Sequence, residues 1–285
     1  MPIISLIITV LATSAQGAFK KHLNTKCERA ELCVSTMITF FALIFFVVFS
    51  GNISFSVNIL PYSVAFALCY ACATATYVFA LGCGSLALTQ LVLSYSCVIP
   101  LIYSLACGDD LGAFRAIGIV FLFTSLIVTY YRKEKDKKDD RVSPKWVILV
   151  ALMFLSNGGC NVIQRMQQID FGGVYDNSFM LISLVFATVL LLVLALIRES
   201  DKMLPAIKCG ALLSMGSGVS NGLANYFGLI CLSLIPGSIY FPVRSAAGLV
   251  LTALISLVIF KEKLRVAQYV GVGLGVIAMI FINIP

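Results

Sequence analysis

The sequence predicts an all-α integral membrane protein of ten transmembrane helices, arranged as two inverted five-helix repeats. Three observations carry that expectation. The chain is 60% hydrophobic and only 12% charged, where an ordinary soluble domain is about 25% charged, and its mean hydropathy is +1.00. Its apolar residues fall in runs of about 20, the length that crosses a hydrocarbon core of about 30 Å, and about ten such runs fit the 285 residues. The segment from Gly237 to Ile282 also repeats the plan of an earlier one at a constant offset. Gly84 and Ser85 meet Gly237 and Ser238, Asp109 meets Glu262, Leu111 meets Leu264, and Gly118 meets Gly271. Each copy has a small-residue turn, a helix-length apolar run, a short charged turn, and a second apolar run starting near Arg115 or Gln268. Matched hydropathy with matched punctuation is the mark of an internal repeat.

Taken in order, the first run spans Pro2 to Phe19 and is ended by Lys20 and Lys21. Ala15 and its small neighbours resemble a signal-peptidase site, but the usual basic leader is missing, so cleavage is not expected. Runs two and three cover about 32–50 and 61–82, and the glycine turn at Gly82 to Gly84 opens a fourth that ends at Gly108, Asp109 and Asp110. A fifth covers about 111–131. The charged stretch from Arg132 to Lys145, with Lys and Asp interspersed, reads as a solvated linker. Five more runs follow, at about 146–164, 177–197, 207–232, 237–260 and 266–284. The division is therefore a first repeat over 1–131, a cytoplasmic linker over 132–145, and a second repeat over 146–285. An odd number of spans per repeat turns the second copy upside down relative to the first.

Seventeen of the 20 Lys and Arg residues fall after runs one, five, seven and nine. They are Lys20, Lys21, Lys26 and Arg29, then those of the linker through Lys145, then Arg198, Lys202 and Lys208, and finally Lys261, Lys263 and Arg265. Arg115 and Arg165 lie at the other face, and Arg244 lies within a run. The positive-inside rule puts the odd-numbered loops in the cytoplasm and both termini outside. The net charge of +7 is thus explained by topology, and no nucleic-acid partner is expected. Most of the ten cysteines, Cys69, Cys72, Cys83, Cys97, Cys160 and Cys231 among them, sit inside apolar runs as small packing residues. Cys69 and Cys72 form a CxxC, but it lacks a second cysteine pair or histidine nearby, so no metal site is expected.

Enzyme chemistry fails on inventory. The single histidine, His22, follows Lys21 at a run's end, and all 13 acidic residues lie in loops or at run ends, so no carboxylate is expected to be buried. Neither a nucleophile with its base nor a set of metal ligands comes together within the spans, and no catalytic residue or cofactor is expected. GVGLG from Gly271 to Gly275 lacks dinucleotide-site spacing, and Gly271 and Gly275, one turn apart, point to close helix packing. The runs do carry neutral polar groups at helical spacing. Tyr70, Thr74 and Tyr77 share one face, as do Asn157 with Asn161 and Asn221 with Asn225, and Gln16, Gln90 and Tyr95 add donors and acceptors. Arg244 lies about 7 residues into its run, roughly 10 Å deep, too deep to reach water easily. Pro242, two residues before it, is expected to break the helix there. These eleven residues are the candidate solute-binding set.

Pro100 in the fourth run, the acidic residues Asp109 and Glu262 before the last run of each repeat, and the glycines of those last runs (Gly118; Gly271, Gly273, Gly275) resemble the drug/metabolite transporter superfamily, in particular its EamA-like ten-helix transporters. The resemblance covers nearly the whole chain. It departs at Ala253, where a second proline would match Pro100, and at Phe260-Lys261, which replaces a common glycine. Many members keep both termini in the cytoplasm, and on that point we follow the charges of this chain. The resemblance implies a secondary transporter in the cytoplasmic membrane, multi-pass, with a small-molecule solute and the lipid bilayer as its partners. Arg244 and the lack of a buried carboxylate make the expected solute anionic or zwitterionic, moved outward by alternating access. Two alternatives stay open: efflux of amphipathic compounds past Tyr70, Tyr77, Tyr226 and Tyr240, and a non-transporting membrane scaffold or sensor.

Overall fold

The computed structural model describes residues 2–27, 30–49, 51, 54–84, 86–108, 112–130, 143–260 and 266–283. Expectations resting on Arg29, Ser85, Asp109, Leu111, Glu262, Leu264 and linker residues 132–142 fall outside them, as do those on the side chains of Arg115 and Gln268. Among the described residues there are eleven α-helices and no strand. They are α1 (Pro2–Lys26), α2 (Glu31–Phe49), α3 (Leu60–Cys83), α4 (Leu86–Tyr95), α5 (Val98–Ala106), α6 (Ala113–Tyr130), α7 (Pro144–Phe171), α8 (Asp176–Arg198), α9 (Met203–Leu234), α10 (Gly237–Val258) and α11 (Val266–Asn283). Six of the described helical segments are long and apolar enough to cross a membrane: α1, α2, α3 with its leading turn, α7, α8 and α10. Large apolar side chains stand exposed around the bundle, among them Ile3, Ile7, Val48, Leu155, Ile197, Leu212 and Val258, as a lipid-facing surface requires.

The helix ends show why the spans stop where they do. Pro144 opens α7, where its missing N–H costs nothing. Gly172 and Gly173 close it at φ 59° and 80°, a left-handed pair that lets the Gly172 N–H donate back to Gln168 O at 2.9 Å. The Glu199 carboxylate, just past α8, accepts from the Leu32 N–H at 3.0 Å and the Cys33 N–H at 3.0 Å. It caps the positive end of α2, where anions are favoured. The residue is only 6% exposed, so one carboxylate is buried after all, at a helix end.

Two boundaries depart from the sequence expectation. α1 does not stop at Phe19 but continues to Lys26. Its last turns are tied to the end of α3: Lys21 Nζ donates to Gly84 O at 3.1 Å and Asn24 Nδ2 to Val78 O at 2.6 Å. The cations that should have ended the span find partners inside the protein. The fourth span is broken into α4 and α5, of 10 and 9 residues, each about half the length a bilayer needs. Pro100 explains the break, because its nitrogen cannot donate to Ser96 O and its ring crowds that carbonyl. The chain passes the gap on short-range bonds, Ser96 N–H to Leu93 O at 3.1 Å and Ile99 N–H to Ser96 O at 3.3 Å. Pro242, expected to break its helix, does not: α10 runs through it unbroken.

The helices pair across the chain. α6 packs on α11 and α2 on α8; α1 meets α9 as α3 meets α7; α2 meets α9 as α3 meets α8; and α1 meets α10 as α7 meets α4 and α5. α9 crosses α1 and α2 along a stripe of small residues that includes Gly210, Ser214, Ser217, Gly218 and Gly222. Gly218 makes a backbone-to-backbone approach, where an added methyl would lie 2.7 Å from Ile38 O and 3.0 Å from Ala42 N. Gly222 presses on the Phe45 ring in the same crossing. Gly271 and Gly275 are buried towards α6, with Ser125 Oγ donating to Gly271 O at 2.5 Å. A methyl on Gly275 would nevertheless meet nothing closer than 3.6 Å. Where α1 ends against α9, Cys27 Sγ lies 2.8 Å from Cys209 Sγ. Burial, and then that contact, pushes the Cys27 thiol up to about 12, which leaves it a protonated packing group.

These distances separate two kinds of glycine. Gly218→Ala should lower the melting temperature in detergent, by the equivalent of about 1–3 kcal/mol of overpacking, because backbone cannot yield. Gly275→Ala should be neutral or slightly stabilising, since alanine favours the helix. Equal melting shifts for the two variants would contradict this account of the α2–α9 crossing.

Candidate functional site

Six helices, α1, α3, α4, α7, α9 and α10, enclose a cavity of about 110 Å³. Each helix presents one face to it, at the spacing of 3 to 4 residues that a helical stripe demands. α1 offers Thr13, Gln16 and Lys20; α3 offers Phe66, Tyr70, Thr74 and Tyr77; α4 offers Gln90 and Ser94. From the later half of the chain, α7 supplies Asn157, Asn161 and Gln164, α9 supplies Asn221 and Asn225, and α10 supplies Phe241, Arg244 and Ser245.

The polar groups are tied into a network. Asn221 Oδ1 accepts from Tyr70 Oη at 2.7 Å and from Asn225 Nδ2 at 2.7 Å. Gln164 Nε2 donates to Asn225 Oδ1 at 3.4 Å, Tyr77 Oη donates to Gln90 Oε1 at 3.0 Å, and Asn157 Nδ2 donates to Ser96 Oγ at 2.5 Å. The last bond reaches into the gap between α4 and α5, so the Pro100 break delivers a hydroxyl to the site's edge. The charges come from opposite halves. The Lys20 ammonium lies 4.7 Å from the centre of the Tyr77 ring, and the Arg244 guanidinium 5.9 Å from that of Tyr240. No Asp or Glu stands among the described lining residues. Cation–aromatic contacts contribute about 0.5–2 kcal/mol, against several kcal/mol for each ion taken out of water. The rings alone do not offset the burial of these charges.

Ten of the eleven candidate residues line this one cavity: Gln16, Tyr70, Thr74, Tyr77, Gln90, Asn157, Asn161, Asn221, Asn225 and Arg244. Tyr95 does not. It is buried at the end of α4, against Leu249 and Phe154. Sequence reasoning missed Lys20, which is 3% exposed, because a lysine after an apolar run ordinarily marks the membrane surface. The usable signal was its position one turn beyond Gln16, on the same helix face. Gln164 was missed in the same way, one turn before Gln168 and three residues after Asn161. The Cys69–Cys72 pair belongs to no group of three or more metal-ligating side chains among the described residues.

The structure is thus a multi-helix membrane bundle around a polar cavity. The model of the EamA-like transporter family matches residues 144–284, which places the chain in the drug/metabolite transporter superfamily. It is a multi-pass membrane protein of a transporter family, and that family is not one of enzymes. The chain is 31% identical over 71 residues to the quaternary ammonium compound-resistance protein QacG of a Staphylococcus strain. It shows the same 31% identity over 71 residues to the quaternary ammonium compound-resistance protein QacC of Staphylococcus aureus. The matched part is 25% of this chain and 66% of those shorter relatives. A solved crystal structure superposes with a TM-score of 0.67 over 99% of this chain and 96% of the other, at 15% identity. At that identity the likeness shows a shared fold.

Proposed function

We propose that this protein is a secondary transporter, exporting a small polar solute, anionic or zwitterionic, across the cytoplasmic membrane by alternating access. The observation that carries the reading is the cavity between the halves, lined by amides, Lys20 and Arg244 and free of carboxylates among its described residues. α4 and α5 count as one broken span, which gives ten. The helix pairing supports an inverted repeat over 1–131 and 146–285, because exchanging α1, α2, α3, α4–α5 and α6 with α7, α8, α9, α10 and α11 maps the main contacts onto one another, the packing of α10 on α11 excepted. A site where inverted repeats meet, open to each side in turn, is the general design of such transporters.

The proposed orientation keeps both termini outside. Lys20 drops out of the loop charge, being inside the cavity, yet the remaining lysines and arginines still favour the odd-numbered loops on the cytoplasmic side. In a background with its other cysteines replaced, an impermeant thiol reagent added to intact cells should label Val57→Cys, in the loop before α3, and spare Asp201→Cys, between α8 and α9. The reverse pattern would invert the topology.

A second reading is efflux of amphipathic cations, favoured by the names of the staphylococcal relatives and by the Phe66, Tyr70, Tyr77 and Phe241 side chains on the cavity. Proteoliposomes separate the two. Under the first reading, an organic anion is exchanged by the parent, Arg244→Gln reduces exchange about tenfold, equivalent to ~1.4 kcal/mol, and Arg244→Lys retains part of it. Exchange of ethidium or tetraphenylphosphonium by a parent inert to anions would establish the second reading instead.

A further inference from the structure

The two cations and the state of the amides together narrow the solute class. Lys20 and Arg244 enter one cavity from α1 and α10, on opposite halves, and no described lining residue is a carboxylate that could neutralise either. Each rests over an aromatic ring, a contact that orients a cation without cancelling its charge. The hydrogen-bond direction of the amides points the same way. Asn221 Oδ1 already accepts two bonds, and Asn225 Oδ1 and Gln90 Oε1 accept from Gln164 and Tyr77. These three oxygens are thus already bonded within the protein. The two charged groups on the cavity, an ammonium and a guanidinium, are donors only.

A zwitterion would bring a third cation to a cavity with no carboxylate among its described lining residues to receive it. A monoanion would leave one of the two cations on the cavity without a counter-charge, the half-satisfied case. We propose that the solute carries two negative charges, as a dicarboxylate or a phosphate monoester does, with Lys20 as the anchor for the second charge beside Arg244. This rests on the anion-transport reading above and makes Lys20 the residue that sets specificity. The volume of about 110 Å³ suits a solute of a few carbons.

The test uses purified full-length protein and four solutes, read by thermal shift in detergent and by counterflow in proteoliposomes. Succinate, succinamate and 4-aminobutyrate share a four-carbon acid skeleton and differ in carrying a second carboxylate, an amide or an ammonium. Glycerol 3-phosphate supplies the phosphate arm. Succinate or glycerol 3-phosphate should bind about tenfold or more tightly than succinamate and 4-aminobutyrate, and whichever binds tells carboxylate from phosphate. Lys20→Gln should bring the dianion down to the level of succinamate without weakening succinamate, and Lys20→Arg should keep the preference. The proposal is overturned if succinamate matches succinate, if Lys20→Gln keeps the preference, or if neither dianion binds at millimolar concentration. In the first two cases the anion reading survives. Binding of tetraphenylphosphonium in place of every anion would remove that reading as well.

Discussion

Charge buried in a membrane bundle has to be screened from lipid and given something to face. Lys20 and Arg244 are both placed so that their heads enter a polar cavity and lie over Tyr77 and Tyr240. An arginine or lysine at a helix centre costs roughly 2.5–3.5 kcal/mol on insertion scales. The rest of the architecture can be read as what makes that cost tolerable. α1 extends past its apolar run so that Lys20 stays on a rigid helix, and the Lys21 and Asn24 side chains fasten that extension to the end of α3. The neighbouring tyrosine is fixed in turn by its bond to Gln90.

The same constraint explains α9. This 32-residue helix is not among the described segments apolar enough to cross a membrane by composition. Its polar and small residues are the reason: the asparagines face the cavity, and the glycines and serines let it lie tightly against α1 and α2. Close approach at Gly218 supplies the packing that a smooth hydrophobic surface supplies elsewhere, since lipid gives little drive for helices to associate. Where the cavity needs a hydroxyl at its edge, the interruption between α4 and α5 provides Ser96 to Asn157. Packing and site are therefore one design on α9, whose small residues seat it against its neighbours while its asparagines line the cavity.

Much of this was legible in the sequence because helical periodicity is blunt and amides are rare in apolar runs. Tyr70, Thr74 and Tyr77, or Asn221 and Asn225, could share a face only if their segments were helical, and a shared polar face within a bundle has to point inward. Lys20 was not legible by the rule that cations mark span ends. That rule describes an ammonium reaching water, and here the partners were an aromatic ring and a cavity set by the tertiary fold. Tyr95 fell outside the cavity because α4 ends with it, and the Pro100 break sends the next turn elsewhere. The glycines teach the same lesson. Gly271, Gly273 and Gly275 look in sequence like a packing stripe, yet nothing lies within 4 Å of a methyl placed on Gly273. The tightest backbone contact belongs to Gly218, and which glycine is indispensable depends on the helix that crosses it. Resemblance to a known family reached the fold, while the character of the cavity came from side chains that only the structure brings together.

The central claim is that the cavity between the halves is the passage for solute, opened to each side in turn. Ala224, on α9, lines it and is buried, whereas Val78, on α3, is buried in the core away from it. In a background with the other cysteines replaced, Ala224→Cys and Val78→Cys can be challenged with an impermeant thiol reagent from outside in right-side-out vesicles and from the cytoplasmic side in inverted ones. The account predicts that Ala224→Cys is modified from both sides and that Val78→Cys is modified from neither. Failure of the reagent to reach Ala224→Cys from either side would make the cavity a sealed structural pocket and contradict the account.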